Sequence, residues 1–322
     1  MIKYNIIYNQ MKTILVTGGC GFLGSNMCKR LVKEGENVIC IDNLYTGFES
    51  NISQLLEYKN FHFIKHDIIT SFDDKLDKYK IDEIYNFACP ASPPKYQKDP
   101  VYTLQVNFQG LFNLLELAKK NNSKILQTST SEIYGEPEIS PQSEEYRGNV
   151  NNIGIRSCYD EGKRIAETLM MDYHKQYNID TRIVRIFNTY GPNMDKDDGR
   201  VVSNFINQCL ENRDITLYGD GKQTRSFCYI DDEIEGIIKL MKSDYVYPIN
   251  IGNPDEITVS ELAKKIIELT GSTSKLVYMP LPQDDPTNRR PDITKAINIL
   301  KWEPVYCLED GLKKTIDYFR SY

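Results

Sequence analysis

The stretch KTILVTGGCGFLG, Lys12 to Gly24, decides the fold. Lys12 to Thr17 is a β-branched run that predicts a short buried strand, and helix-forming residues continue past the glycines to about Lys33. Strand, glycine turn and helix, in that order, are the context a dinucleotide fingerprint requires. Gly19, Gly21 and Gly24 fit G-x-G-x-x-G, while Gly18, Gly21 and Gly24 fit a three-residue glycine repeat. Either register permits a tight turn and lets backbone approach a pyrophosphate at the helix N-terminus.

Asn37 to Ile41 (NVICI) reads as a second strand and ends at Asp42. An acid there, roughly 20 residues after the turn, accepts from a ribose 2′-hydroxyl and repels a 2′-phosphate, which predicts NAD over NADP. Phe61 to Lys65 is a third strand; after it Asp67 either meets the adenine or is simply a solvated strand end. Ile81 to Ala88 is a fourth, broken by the proline-rich Cys89 to Pro94, a segment of the kind that receives ligands at the carboxyl end of a parallel strand. A helix is expected from about Val101 to Lys120, with Leu104, Phe108, Leu111, Leu114 and Leu115 on one side. Lys124 to Gln127 is a fifth strand that delivers Thr128 to Glu132, and Arg182 to Phe187 a sixth that ends in Asn188-Thr189. Alternating strands and helices predict an α/β fold, a Rossmann-type doubly wound parallel sheet. After Gly191-Pro192 the rhythm changes, and a smaller mixed α/β C-terminal lobe is expected, with a return to the first domain around Ser226 to Ser243.

Composition bounds the remaining choices. The chain has 322 residues, 40% hydrophobic and 26% charged, as in an ordinary globular protein. A net charge of −6 argues against nucleic acid as the main partner, although a few arginines in a cleft suffice for a small anion. The eight cysteines are scattered, with no Cys-x-x-Cys pair, and read as buried free thiols of a reducing compartment. Three histidines give no metal constellation. No apolar run approaches the roughly 20 residues of a membrane span. Residues 1–10, rich in Asn and Tyr, lack a signal-peptide pattern and read as an extension, with Met11 as an alternative start. A cytoplasmic protein is expected.

The chemistry centres on Ser157 to Arg164 (SCYDEGKR), which sets Tyr159 and Lys163 one helical turn apart. A neighbouring ammonium favours the phenolate, so this tyrosine can take a proton from a sugar hydroxyl. Tyr218 and Lys222 repeat the spacing through Gly219-Asp220-Gly221, a turn that cannot hold both side chains on one helix face. Thr130 and Ser131 add hydroxyls that align a substrate. Glu132 adds a carboxylate beyond what hydride transfer alone needs. Arg225, Arg289 and Arg290 are forks that suit a diphosphate, though each taken singly reads as a surface ion-pair partner.

With ASPPKY (Ala91–Tyr96), TSEIYGEPEISPQSEEY (Thr130–Tyr146) and RSCYDEGKR (Arg156–Arg164), the chain resembles the extended short-chain dehydrogenase/reductase family. FNTYGPNM (Phe187–Met194), DGRVVSNFI (Asp198–Ile206) and QDDPTNRRPDI (Gln283–Ile293) draw it to the branch that decarboxylates UDP-glucuronate. The resemblance implies bound NAD, UDP-glucuronate as substrate, UDP-xylose as product and a homodimer that pairs the helices near 101–120 and 159–176. It implies that Tyr159, Lys163, Thr130, Ser131, Glu132 and Arg289 are catalytic. For the cofactor it implies Gly18, Gly21, Phe22, Leu23, Gly24, Asp42, Asn43, Tyr45, Thr46, Gly47, Asp67, Ile68, Phe87, Cys89, Val106, Thr128, Thr189 and Arg200, together with Tyr159 and Lys163. For the substrate it implies Pro90, Tyr96, Gln105, Asn113, Asn188 and Arg225, again with Tyr159 and Arg289. Residues 11–187 with about 226–252 would bind NAD, and about 188–225 with 253–322 the nucleotide sugar. Nucleotide-sugar 4,6-dehydratases and 4-epimerases of the same family are the alternatives, and a non-catalytic dinucleotide-dependent binding protein a more distant one. The chain departs from the branch at Arg147, where tryptophan is usual, and at Asn152 and Ile155, where prolines are usual. Fewer prolines loosen the loop before Tyr159.

Overall fold

The structure, a computed structural model, describes residues 11–72, 75–280 and 289–321. The extension 1–10 and most of QDDPTNRRPDI lie outside the described residues. The strands Thr13–Thr17 (β1), Asn37–Asp42 (β2), Phe61–Lys65 (β3), Glu83–Asn86 (β4), Lys124–Thr130 (β5), Thr181–Ile186 (β6) and Ile249–Ile251 (β7) form one sheet, in the order β7-β6-β5-β4-β1-β2-β3. Every pairing in it is parallel. This is the doubly wound sheet expected from the sequence. The order reverses between β1 and β4, whose carboxyl ends lead into the glycine turn and the proline-rich segment.

Alternation along the strands builds the two core layers. Leu15, Ile39, Ile41, Ile84, Ile125 and Ile183 enter one apolar cluster, while their neighbours Val16, Val38, Cys40, Tyr85, Leu126 and Val184 enter the other. Successive strand side chains point to opposite faces, and a parallel sheet covered by helices on both faces buries both sets. Helices Pro100–Gln105, Leu111–Asn121 and Ser157–Tyr177 cover the first layer. Helices Phe22–Lys33 and Ile230–Lys242 cover the second. That second cluster runs on without a break into Phe205, Leu262 and Ile316 of the C-terminal lobe.

β4 is shorter than the expected Ile81 to Ala88, and two further elements differ from expectation. β5 extends three residues further, because Thr128, Ser129 and Thr130 pair in register with Val184, Arg185 and Ile186. Thr128–Thr130 are therefore buried strand, and the turn begins at Ser131. The helix after Pro100 contains a π-turn over Val106–Gly110. The wider turn rotates its two halves against each other. Leu104 and Phe108 are consequently 41% and 44% exposed while Leu111, Leu114 and Leu115 are buried.

Glu233, fully buried on the helix Ile230–Lys242, accepts a hydrogen bond from the Thr189 hydroxyl at 3.2 Å. Burial pushes its carboxyl well above the usual range, and the contacts with Thr189 and Cys228 only partly offset this. The folded state thus holds a proton that the unfolded chain releases above roughly pH 4.3. Stability from this group is complete below that pH and is lost as pH rises towards the folded pKa, by up to about 1.4 kcal/mol per pH unit. Glu233→Gln should remove this slope, and its Tm advantage over the unaltered protein should grow from pH 5 to pH 8. An equal Tm difference at both pH values would contradict the assignment.

Candidate active site

The glycine turn forms the floor of two adjoining clefts. Gly18 takes φ +68°, and a Cβ there would lie 2.7 Å from Ala88 N. A Cβ on Gly24 would lie 2.1 Å from Gly18 O, so the helix can start only where both are glycine. Gly18, Gly21 and Gly24 line the clefts, whereas Gly19 faces inward onto the Cys40 thiol. The three-residue repeat is therefore the register that faces the cleft. The helix Phe22–Lys33 begins with no side-chain cap, which leaves its first N–H groups for an anion. This cradle fits a pyrophosphate.

The first cleft, about 490 Å³, is lined by Asp42, Asn43, Tyr45, Thr46, Gly47, Asp67, Ile68, Phe87, Cys89 and Val106 of the residues implied for the cofactor, and by Pro90 of those implied for the substrate. It also takes His66, at the strand end where a side chain was expected to meet the adenine, and Tyr102, which the sequence did not single out. Asp42 also ties β2 to the glycine turn, since its carboxylate accepts from Cys20 N at 2.9 Å and Leu44 N at 2.8 Å. Burial raises its pKa, and these two backbone N–H groups oppose the shift. Asp67 accepts from Asn43 at 2.8 Å and from Tyr102 Oη at 2.7 Å, so it belongs to a fixed network and not to a solvated strand end.

The second cleft, about 790 Å³, is lined by Phe22, Leu23, Thr189 and Arg200 among the expected residues, and by Lys95, Asn193, Asp195 and Asp198 besides. Arg200 is paired with Asp198. Asn188 sits between the lining residues Phe187 and Thr189, and its carbonyl accepts from Cys228 N at 2.8 Å. Arg225 is half-buried on the short strand Thr224–Ser226, outside the lining of either cleft.

At the carboxyl end of β5 the chemistry-bearing side chains converge. Tyr159 and Lys163 are buried on the first two turns of Ser157–Tyr177. Lys163 Nζ donates to Thr128 O at 2.9 Å and lies 5.7 Å from the centre of the Tyr159 ring. The ammonium is thus anchored on the strand beside the Tyr159 ring. Burial pushes the Tyr159 phenol up, and the Thr130 hydroxyl and Arg200 pull it back. Burial likewise pushes the Lys163 ammonium down. Tyr218 and Lys222, by contrast, flank a turn whose Gly219 and Gly221 both have positive φ, so that spacing builds no relay.

Glu132, 15% exposed, is held by both nitrogens of the Arg289 fork, with Nη2 at 2.6 Å from Oε2, and by Arg156 Nη2 at 2.5 Å from the same oxygen. Arg289 Nη1 also lies 3.4 Å from Ser131 Oγ. Burial pushes the Arg289 guanidinium down to about 10, still protonated at neutral pH. Tyr96 stacks on Tyr159, with ring centroids 4.9 Å apart and planes 8° apart, and its hydroxyl finds no hydrogen-bond partner among the described residues.

Not every expected residue reaches this junction. Gln105 is exposed and lines neither cleft. Asn113 gives its amide to Ile68 O at 2.8 Å, bracing the loop after β3 and lining neither cleft. Conversely, Arg156 and Asn107 were missed. Asn107, buried by the π-turn, donates to Thr103 O at 2.9 Å and to the Cys89 thiol at 3.2 Å. A Cβ on Gly162 would lie 2.9 Å from its amide, so the glycine before Lys163 lets the two helices approach. Arginine at the start of RSCYDEGKR was the available signal for Arg156, but its partner is remote in sequence. Among the described residues no group of three or more His, Cys, Asp or Glu side chains could hold a metal ion. No helix of the described residues is long and apolar enough to cross a membrane.

Comparison with known proteins agrees with this geometry. The chain is 50% identical to UDP-glucuronic acid decarboxylase 4 of Arabidopsis thaliana, over 96% of its own length and 68% of that protein. It is 48% identical to UDP-glucuronic acid decarboxylase 1 of Xenopus tropicalis, over 96% of its length and 72% of that protein. Among solved structures it resembles UDP-glucuronic acid 4-epimerase from Bacillus cereus, in complex with UDP-glucuronic acid and NAD. That match has 30% identity and a TM-score of 0.86, and covers 96% of this chain and 99% of the epimerase. Residues 14–252 match the family described as NAD dependent epimerase/dehydratase. With this sheet, this glycine cradle and these relatives, the chain belongs to the NAD dependent epimerase/dehydratase family.

Proposed function

We propose that this chain is an NAD-dependent UDP-glucuronate decarboxylase that produces UDP-xylose. The observation that carries the reading is the meeting of Tyr159, Lys163 and Thr130 with a carboxylate, Glu132, gripped by the buried Arg289. Identity near 50% with UDP-glucuronic acid decarboxylases supports it, against 30% with the 4-epimerase. Residues 11–187 with about 226–252 would carry the cofactor, and about 188–225 with 253–322 the nucleotide sugar.

The glycine turn and the first cleft would hold NAD, which would supply a hydride acceptor at carbon 4 of the glucuronate and the hydride donor for the closing reduction. Tyr159 removes the proton of the 4-hydroxyl, with Lys163 stabilising the phenolate through space. The cost of ionising a buried phenol means that this step draws on every positive charge around it. The resulting ketone is β to the carboxylate. The C5–carboxylate bond breaks, CO₂ leaves, and the electron pair passes into an enolate whose oxygen Tyr159 and Thr130 stabilise. Carbon 5 is then protonated on the side served by Glu132 and Arg289. Tyr96, stacked on Tyr159, offers its hydroxyl to the sugar carboxylate.

The 4-epimerase solved with UDP-glucuronic acid favours a second reading, inversion at carbon 4 without loss of CO₂. NMR of the product from purified protein and UDP-glucuronate separates the two: UDP-xylose with stoichiometric CO₂ is expected, and a UDP-hexuronate epimer would replace the first reading by the second. Tyr159→Phe should lower turnover by about 10²–10⁴-fold. Glu132→Gln should mainly slow CO₂ release while oxidation at carbon 4 continues; normal oxidation in Tyr159→Phe would refute the role given to the tyrosine.

The reading extends to a cytoplasmic homodimer. Free cysteines suit a reducing compartment, and six of the eight are buried. Val101, Leu104, Phe108 and Phe112 are exposed apolar residues along the helix after Pro100, and Ile165 on the Tyr159 helix is exposed as well. Phe108→Glu should convert a dimer into a monomer in light scattering, and an unchanged mass would argue against this face.

A further inference from the structure

Tyr102 draws three elements together in the first cleft. Its hydroxyl donates to Asp67 Oδ2 at 2.7 Å and accepts from the Asn43 amide at 2.6 Å. The same amide donates to that carboxylate oxygen at 2.8 Å, which closes a triangle of side chains. Asn43 directly follows β2, Asp67 follows β3, and Tyr102 stands on the helix Pro100–Gln105. Its backbone is pinned there, because the capping Asp99 carboxylate accepts from Tyr102 N at 3.0 Å. The Tyr102 and Tyr45 rings pack together with centroids 4.9 Å apart, and both line the cleft. Burial and the neighbouring Asp67 push the Tyr102 phenol well above its usual range, so it stays a donor at neutral pH.

Strand order decides which part of a dinucleotide meets this triangle. The glycine turn after β1 cradles the pyrophosphate, and Asp42 at the end of the adjacent β2 suits the ribose. β3 lies one strand further out, so the base falls beside Asp67. Asp67 Oδ1 accepts from Ile69 N at 3.1 Å, and Oδ2 takes Tyr102 and Asn43. Among the described residues these donors reach a carboxylate that has room for about four. The remaining acceptor place suits the exocyclic amine of adenine, which donates. A 6-oxo purine presents an acceptor at that position and meets repulsion.

We propose that Tyr102 is a positioning residue for the base of the cofactor: it holds Asp67 so that the carboxylate meets the adenine amine, and thereby sets a preference for adenine over 6-oxo purines. The inference rests on NAD occupying the first cleft and does not depend on the decarboxylase reading. Asn43 shares the task, but it belongs to the same loop as Tyr45, whose N–H its Oδ1 accepts at 2.9 Å. Tyr102 is the member that ties the carboxylate to a helix. That helix packs against Ser157–Tyr177, so base recognition and the proton relay share one support.

The test is calorimetric titration of the full chain, freed of any resident dinucleotide, with NAD and with nicotinamide hypoxanthine dinucleotide. The unaltered protein should bind NAD about tenfold or more tighter, the worth of a hydrogen bond to a charged group. Y102F keeps the ring and removes only the hydroxyl. In it NAD affinity should fall by about tenfold while affinity for the hypoxanthine dinucleotide changes by less than about threefold, so the ratio between them collapses. Y102L, which also removes the ring beside Tyr45, should weaken both dinucleotides. Because the readout in Y102F is a ratio of affinities within one protein, a partly unfolded preparation does not alter it. An unchanged ratio in Y102F, including equal loss for both ligands, would make the hydroxyl a purely structural tie and overturn the proposal. Equal binding of the two dinucleotides by the unaltered protein would overturn it too, as would undiminished binding in Y102L. No binding of NAD by the unaltered protein would remove the cofactor from the first cleft, and this assignment with it.

Discussion

Glu132 stands at the end of a buried parallel strand, and a carboxylate so far removed from water must be met by cations and hydrogen-bond donors. Two arginines meet it, and they come from distant parts of the chain. Arg156 starts the helix that carries Tyr159 and Lys163; Arg289 adjoins Arg290, whose carbonyl accepts from Gln142 N. The carboxylate thus ties together the sheet, the helix of the proton relay and the C-terminal lobe. Removing either arginine would take hydrogen-bond donors away from a carboxylate that is largely out of water.

Behind this cluster lies a second polar layer. Glu167, on the Tyr159 helix, receives both nitrogens of the Arg185 fork and the Ser129 hydroxyl. Arg185 also reaches Tyr134 Oη at 3.0 Å, and Tyr134 donates to Asn250 of β7 at 2.8 Å. Buried ion pairs contribute little net stability, because desolvation offsets their attraction. Their use here is registry: β5, β6, β7 and the helix can satisfy all these groups only in one mutual alignment. That alignment sets where Thr130 and Tyr159 stand.

The relay itself is held in a costly state. Burial pushes the Tyr159 phenol up and the Lys163 ammonium down, so each is biased towards neutrality. The lysine is anchored on the Thr128 carbonyl, and Tyr96 lies flat against the tyrosine ring. Proton transfer in such a pocket depends on added positive charge and on exclusion of water, which couples the chemistry to filling of the clefts.

Much of this was legible in the sequence, for local reasons. The β-branched runs, the glycine turn and Asp42 determine the dinucleotide half, because strand period, positive φ and strand-end chemistry are properties of neighbouring residues. The Tyr159–Lys163 spacing determines a shared helix face, and the glycines between Tyr218 and Lys222 rule that pair out. The motif TSE marked Glu132 as chemically significant, but not what grips it. Tertiary structure alone decided that Arg289, and not Arg290, faces Glu132: Arg290 turns instead to Pro254 O and Glu256. It alone also put Arg156 in the site and took Gln105 and Asn113 out. The π-turn and the pairing of Arg156 with a strand end 24 residues earlier depend on how helices pack against the sheet. Such contacts arise from burial and charge balance across the whole fold, which no run of adjacent residues encodes.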